Sequence, residues 1–201
     1  MKNRILVFYG SYRFDRMGIR LADNVVASLC GRGEDAELID ANAFELPMLE
    51  RMYKEYAPDA ASDIMETLAG MIRASDALVF ITGESNWGPQ PGLMNLSDHF
   101  LEECSRGRPG IASHPANQLA RIQAWHRILA EMEMTAIAVG PIASTLTPDG
   151  TPVGEAEGSL DRAFSRFADD LYLADRGSKI AARPEIGGLL RSKAYRDVCE
   201  A

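Results

Sequence analysis

Short apolar runs alternate along this chain with stretches whose apolar residues recur every three or four positions. Ile5-Leu6-Val7-Phe8 forms the first run, and the pattern predicts a strand over Arg4 to Tyr9. The amphipathic stretch from Gly18 to Leu29 predicts a helix, closed by Gly31 and Gly33. Ala36 to Asp40 predicts a short second strand, and a polar, Met- and Tyr-rich connection runs from Ala41 to Pro58. Ser62 to Ala74 predicts a second helix, with Ser62 as its N-cap. Asp76-Ala77-Leu78-Val79-Phe80-Ile81-Thr82 lacks alternation, as expected of a strand covered on both faces of a parallel sheet. A Gly- and Pro-rich loop, Gly83 to Gly92, leads to a predicted helix over Leu93 to Cys104. Then come a weak strand over Pro109 to Ser113, a helix over Gln118 to Met132 and a last strand over Thr135 to Val139. A final helix is predicted over Leu160 to Ala174.

Five strands interleaved with helices predict an α/β fold. Its core is a five-stranded parallel, doubly wound sheet with helices on both faces. The expected organisation is one domain over residues 1–182 and a C-terminal tail over 183–201, with apolar Ile186, Leu189, Leu190, Tyr195 and Val198 among charges. In such a sheet ligands bind beyond the carboxyl ends of the strands, where the strand order reverses. Three loops, Gly10–Met17, Gly83–Gly92 and His114–Asn117, follow those ends and are expected to converge.

The first loop, Tyr9-Gly10-Ser11-Tyr12-Arg13-Phe14-Asp15-Arg16-Met17-Gly18-Ile19-Arg20, leads straight into a helix. A helix start offers unpaired N–H groups and partial positive charge. Ser11 adds a hydroxyl, and Arg13 and Arg16 add full charge; together these are the parts of a phosphate cradle. On this segment alone an ordinary strand-to-helix turn with solvated arginines fits equally well. The convergence of the three loops favours the cradle. The loop is neither a P-loop nor a dinucleotide fingerprint, since the glycine and lysine spacings are absent.

Charge and cysteine content narrow the partners. Among 201 residues, 21 are basic and 29 acidic, a net charge of −8 that argues against nucleic acid and acidic membrane surfaces. Cys30, Cys104 and Cys199 form neither a disulfide framework nor a metal motif, which points to a reduced compartment. Cys30 reads as packing. No apolar run approaches the roughly 20 residues that span a bilayer, and no signal-peptide pattern is present, so a soluble cytoplasmic protein is expected.

The second loop exposes backbone N–H and C=O groups that can read the edge of a flat heterocycle. Trp87 can stack on such a ring, or equally cap the core or sit at a subunit contact. In the third loop His114 can reach a ring edge or stand in solvent. His99, beside Asp98 on a helix, reads as structural or at a dimer contact, because adjacent helix residues do not face each other. No Gly-x-Ser-x-Gly elbow supports a hydrolase.

The chain resembles the NAD(P)H-dependent FMN reductase family, of flavodoxin-like fold. The resemblance rests on Gly10-Ser11-Tyr12-Arg13, on Arg16 and on Gly18-Ile19-Arg20-Leu21-Ala22. It continues in Glu84 and Asn86, the second and fourth positions of that family's Pro-Glu-Tyr-Asn loop, and in Leu93, Asn95, Asp98, His99 and Phe100 of the following helix. The resemblance implies FMN as a non-covalent cofactor and NADPH or NADH as co-substrate. Ser11, Arg13, Arg16, Met17, Gly18 and Ile19 would then hold the phosphate. Glu84, Ser85, Asn86 and Trp87 would line the ring, with Ser113 and His114 beside it. It implies no catalytic side chain and no metal site. Electrons would pass to free flavin, quinone or another small acceptor, in a homodimer or homotetramer. The dimer expectation also draws on apolar residues along Leu93–Cys104.

The chain departs from the family at four places. Ser85 stands for the loop aromatic, Met94 for the helix lysine, and Gln90 for the loop proline, with Pro91 following. Ser113-His114-Pro115-Ala116-Asn117-Gln118-Leu119 replaces a glycine-rich third loop, exchanging permissive backbone for side chains and a rigid ring. Two other readings remain open at this point. One is an FMN-binding electron carrier without a nicotinamide site; the other is a divergent member that has lost its flavin.

Overall fold

The computed structural model describes residues 2–16, 18–82 and 89–105, together with the backbone of strands Pro109–Ser113 and Thr135–Val139. Strand β1, Arg4–Tyr9, is buried from Ile5 onward. Helix α1 spans Gly18–Gly31 and buries Leu21, Ala22, Val25 and Leu29, the stripe its sequence period predicts. Strand β2 is Asp35–Asp40, followed at once by the single-turn helix α2, Ala41–Phe44. A 3₁₀ turn at Tyr53–Glu55 interrupts the connection to helix α3, Asp63–Arg73. Strand β3, Ala77–Ile81, is buried at every residue. Helices α4, Pro91–His99, and α5, Leu101–Cys104, precede β4, Pro109–Ser113, and β5, Thr135–Val139. All neighbouring strands pair in parallel, in the order β2-β1-β3-β4-β5. The order reverses between β1 and β3, which opens the crevice at their carboxyl ends.

Alternation along β1 divides the core. Leu6 and Phe8 pack with Ile39, Leu78 and Phe80 under α3, α4 and α5, through Met65, Leu68, Ile72, Leu93, Leu96 and Phe100. Phe8 and Phe80 are register partners whose ring centroids lie 5.3 Å apart. Ile5, Val7 and Tyr9 turn to the other face, where α1 lies. Each fully buried aliphatic or aromatic side chain contributes about 1.5–3 kcal/mol.

Several expectations need correction. The expected helix over Leu93 to Cys104 is two helices. It starts earlier, because Pro91 is well placed at a first helical position. It breaks at Phe100, whose backbone adopts φ −119°, ψ 31°. Ser97 Oγ donates to the Leu93 carbonyl at 2.8 Å, a back-bond that bends helices, and the Phe100 N–H tightens onto Ser97 O at 3.2 Å. The bend drives the Phe100 side chain fully into the core. Leu93, Leu96, Phe100 and Cys104 are buried within this chain, and Met94 and Leu101 are half-buried. Among the described residues the exposed large apolar ones are Tyr12, Phe14, Met48 and Leu49. Ser62 occupies the N-cap position of α3 without a side-chain cap bond. Cys30 is exposed on the polar side of α1 and does not pack, its thiol donating to Ala36 O at 3.6 Å. The helices expected over Gln118–Met132 and Leu160–Ala174, the boundary at 182 and the tail lie outside the described residues.

Helix α4 also fixes the connection after α2. That connection begins at Glu45, whose φ of 48° is left-handed and costs on the order of 1 kcal/mol for a residue with a Cβ. Asn95 Nδ2 donates to Pro47 O at 2.8 Å and its Oδ1 accepts from the Leu49 N–H at 2.9 Å. His99, one turn on and fully buried, bonds the same Pro47 carbonyl through Nε2 at 3.0 Å. A carbonyl only accepts, so Nε2 carries a proton in this contact. His99 is therefore structural.

Asn95→Ala should destabilise the protein by about 2 kcal/mol, since it removes two partly buried hydrogen bonds and strands their partners. Urea unfolding, with faster hydrogen exchange at the Leu49 amide, checks this. Asp98, in the last turn of α4, has its carboxyl pushed above the ordinary range by burial, with His99 partly opposing. The folded state then holds the proton more tightly than the unfolded chain, so stability falls as pH rises through the carboxylate range. Asp98→Asn should be more stable than the parent at neutral pH, and the gain should vanish below about pH 4; unfolding curves from pH 3.5 to 8 measure it.

Candidate functional site

The loop after β1 passes over the first turn of α4 with almost no space between the backbones. A Cβ placed on Gly10 would stand 2.0 Å from the Leu93 nitrogen and 2.3 Å from its Cα. A Cβ on Gly92 would stand 2.6 Å from Gly10 O and 2.5 Å from the Tyr12 ring. Both positions therefore require glycine, by close approach. Tyr12 lies across Gly92, and its hydroxyl donates to Ala41 O at 3.4 Å, tying the loop to the end of β2.

Ser11 is buried just above β1 and accepts the Arg13 N–H on Oγ at 3.4 Å. Beneath it, Tyr9 points toward α1, its hydroxyl 2.9 Å from where a Cβ on Gly18 would stand. Burial pushes the phenol above its ordinary range, outweighing the downward pull of Ser11, Gln90 and Arg16. Tyr9 thus stays uncharged and adds no repulsion toward an anion bound over it.

Arg16 is differently engaged from Arg13. Its Nη1 donates to both carboxylate oxygens of Asp40 at 2.7 Å and to Ser11 O at 3.4 Å, and its guanidinium lies 5.9 Å from the Tyr9 ring centroid. Its side chain is 22% exposed and that of Asp40 is 13%, so the pair is largely withdrawn from water. Asp40 also accepts the Asn42 N–H at 3.1 Å, capping α2. Arg16 therefore neutralises a carboxylate that would otherwise face the site and braces the loop. Arg13 is exposed and, among the described residues, has no ion pair. Gly18 and Ile19 open α1, whose first turn carries no acidic side chain. The Ile19 N–H donates to Arg16 O at 3.1 Å and is already used.

These parts suit a phosphate. They are a buried hydroxyl, a helix start of 14 residues, one available guanidinium, one neutralised carboxylate and backbones brought close by glycine. The FMN phosphate fits this donor set. Ser113 ends β4 level with Ile81 and Val139, on the same sheet edge. Met17, Glu84, Ser85, Asn86, Trp87 and His114 lie outside the described residues. Sequence reasoning did not single out Tyr9, Asp40 or Gln90 as part of the site. The signal for Gln90 was its place in the loop where the family has proline. For Asp40 there was none, because its partner lies 24 residues away. Among the described residues no group of three His, Cys, Asp or Glu side chains could hold a metal ion.

Comparison with known proteins gives the family and the fold. The family model described as NADPH-dependent FMN reductase matches residues 3–146. The flavoenzyme NAD(P)H:(acceptor) oxidoreductase FerB of Paracoccus denitrificans is similar in structure, with TM-score 0.62 and 18% identity over 85% of this chain and 97% of the other. An oxidoreductase of Corynebacterium diphtheriae gives TM-score 0.59 and 16% identity over 84% and 96%. A flavodoxin from the domain Archaea gives TM-score 0.52 and 12% identity over 86% and 99%. No curated protein matches the chain closely enough to count as a relative. The fold is flavodoxin-like.

The two arginines should separate in experiment. Arg13→Ala should weaken FMN binding by about 1–3 kcal/mol while leaving the unfolding midpoint of the apoprotein unchanged. Arg16→Ala should weaken binding and also destabilise the apoprotein, on the order of 2 kcal/mol, because Asp40 loses its partner. Flavin fluorescence titration and urea unfolding of both variants read the two effects; unchanged FMN affinity in both would remove the cradle.

Proposed function

The chain belongs to the NADPH-dependent FMN reductase family, with FMN as its cofactor and NAD(P)H as its electron donor, and we propose that it delivers the electrons to a small soluble acceptor. Free flavin or a quinone is the acceptor class. The observation that carries this reading is the phosphate cradle at the start of α1, beside the crevice where the strand order reverses. When bound, FMN supplies the redox chemistry, and no acid or base from the protein is required. The chain's own residues bind and orient. Ser11 and Arg13 hold the anionic end, Arg16 keeps Asp40 neutralised, and the Gly10–Gly92 contact lets the loop and α4 stand close enough to share one ligand.

We further propose a cytoplasmic homodimer or homotetramer that engages neither nucleic acid nor membrane. The net charge of −8 supports the lack of a nucleic-acid partner. Among the described residues no helix is long and apolar enough to cross a membrane. Exposed Phe14, Met48 and Leu49 supply apolar surface for self-association.

The test is the visible spectrum of the purified protein after FMN addition and desalting, followed by anaerobic NADPH or NADH. Flavin should be retained and should bleach with a nicotinamide, then recover its colour on addition of riboflavin or a quinone. Retained flavin that stays oxidised would favour an electron carrier without a nicotinamide site. Loss of all flavin on desalting would remove the reading.

A further inference from the structure

The end of β2 grips the loop after β1 at two points. Tyr12, near the start of the loop, donates its hydroxyl to Ala41 O at 3.4 Å. Arg16, near its end, bonds the Asp40 carboxylate at 2.7 Å and reaches back to Ser11 O at 3.4 Å. The exposed Arg13 lies between these two points. It is also joined to Ser11 across Tyr12, because Ser11 Oγ accepts the Arg13 N–H at 3.4 Å. Both anion-holding side chains are therefore set on either side of Tyr12.

The Tyr12 ring holds more firmly than its hydroxyl. An O–H bond of 3.4 Å is long and weak. Two ring carbons, by contrast, lie 2.5 and 2.9 Å from where a Cβ on Gly92 would stand. The ring thus rests on the backbone of the first turn of α4, the turn that also receives Gly10. Tyr12 as a whole stays 48% exposed, so it adds little to the core. Burial of the rest and the Asp40 carboxylate push its phenol above the ordinary range, so Tyr12 brings no charge to an anion site.

A loop that its ligand must order loses part of the contact energy to that ordering, whereas a loop held beforehand does not. We propose that Tyr12 is a positioning residue of the FMN phosphate site. Its ring, laid on Gly92, holds Ser11 and Arg13 in place in the apoprotein, ready for the anion. The inference rests on the FMN reading above. The hydroxyl is secondary, so phenylalanine can stand in for Tyr12 and alanine cannot.

The experiment titrates wild type, Tyr12→Ala and Tyr12→Phe with FMN and with riboflavin, which lacks the phosphate, by flavin fluorescence. Far-UV circular dichroism confirms folding. Tyr12→Ala should bind FMN about tenfold more weakly than wild type and riboflavin within about twofold, because ordering the loop then falls to the phosphate. Tyr12→Phe should keep the wild-type preference for FMN within about twofold. Trypsin cleavage after Arg13 in the flavin-free proteins, followed by mass spectrometry, reads the loop directly. It should be slow in wild type and Tyr12→Phe and about tenfold faster in Tyr12→Ala. Cleavage of wild-type apoprotein after Arg13 as fast as in a free peptide spanning Phe8 to Arg20 overturns the inference even if the alanine variant fails to fold. A preference for FMN kept in full by Tyr12→Ala, an equal loss for both flavins, or no recovery in Tyr12→Phe also overturns it and leaves the FMN reading intact. Failure of wild type to bind either flavin overturns the FMN reading itself, and the inference with it.

Discussion

The backbone of Gly10 lies against the first turn of α4 more closely than any side chain permits, and the site is organised around that contact. With a would-be Cβ on Gly10 at 2.0 Å from the Leu93 nitrogen and one on Gly92 at 2.6 Å from Gly10 O, the two elements share one surface. The loop after β1 and the helix after β3 are thereby brought to one place above the reversal of strand order. Without that seam, Ser11 and Gln90 would belong to separate walls of the crevice. With it, both bear on the Tyr9 phenol and draw its pKa down against burial. The tolerance is narrow because both partners are backbone, which cannot move aside as a side chain can.

Helix α4 carries three tasks along one face. Its start receives the loop after β1, its middle holds the Pro47–Leu49 segment through Asn95, and its end repeats the hold through His99. Residues at i and i+4 share a helix face, so one element can reach one neighbouring segment twice. The bend at Phe100 follows from the same arrangement. The first part of the helix is aligned to the site, and the chain then turns to bury Phe100 and Cys104 in the core. A straight helix over Leu93–Cys104 would satisfy propensity and lose that burial.

The strands were legible from sequence because their signals are local and strong. β1, β4 and β5 have the bounds that the apolar runs predict, and the all-buried β3 reads as its lack of alternation implies. Parallel pairing followed from the alternation of strands and helices, whereas the order β2-β1-β3-β4-β5 came only from the structure. The helix boundaries were less legible. Pro91 and Ser97 act through rules of one or two residues that a long apolar period hides, and the bend at Phe100 depends on burial. The site was legible as composition and illegible as pairing. Arg13 and Arg16 look alike in sequence, yet one is exposed and the other is held by Asp40 from the next strand. Only the parallel pairing of β1 with β2, which sets Tyr9 beside Asp40, separates their roles.

That pairing also explains how an acidic chain presents an anion site. A net charge of −8 lowers the local concentration of any anion, so the site gains from cancelling the carboxylate bonded to its loop. Asp40 is that carboxylate, and it cannot simply be dispensed with, because it caps α2 through the Asn42 N–H. Arg16 resolves the conflict at 2.7 Å, in a place only partly open to water, where the pair is screened less than at the surface. The neutral phenol of Tyr9, kept uncharged by burial, completes the arrangement as a polar group that adds no charge. What remains facing outward is the Ser11 hydroxyl, the start of α1 and Arg13. The electrostatic sign of the site is therefore set by one ion pair behind it, more than by a local excess of basic residues.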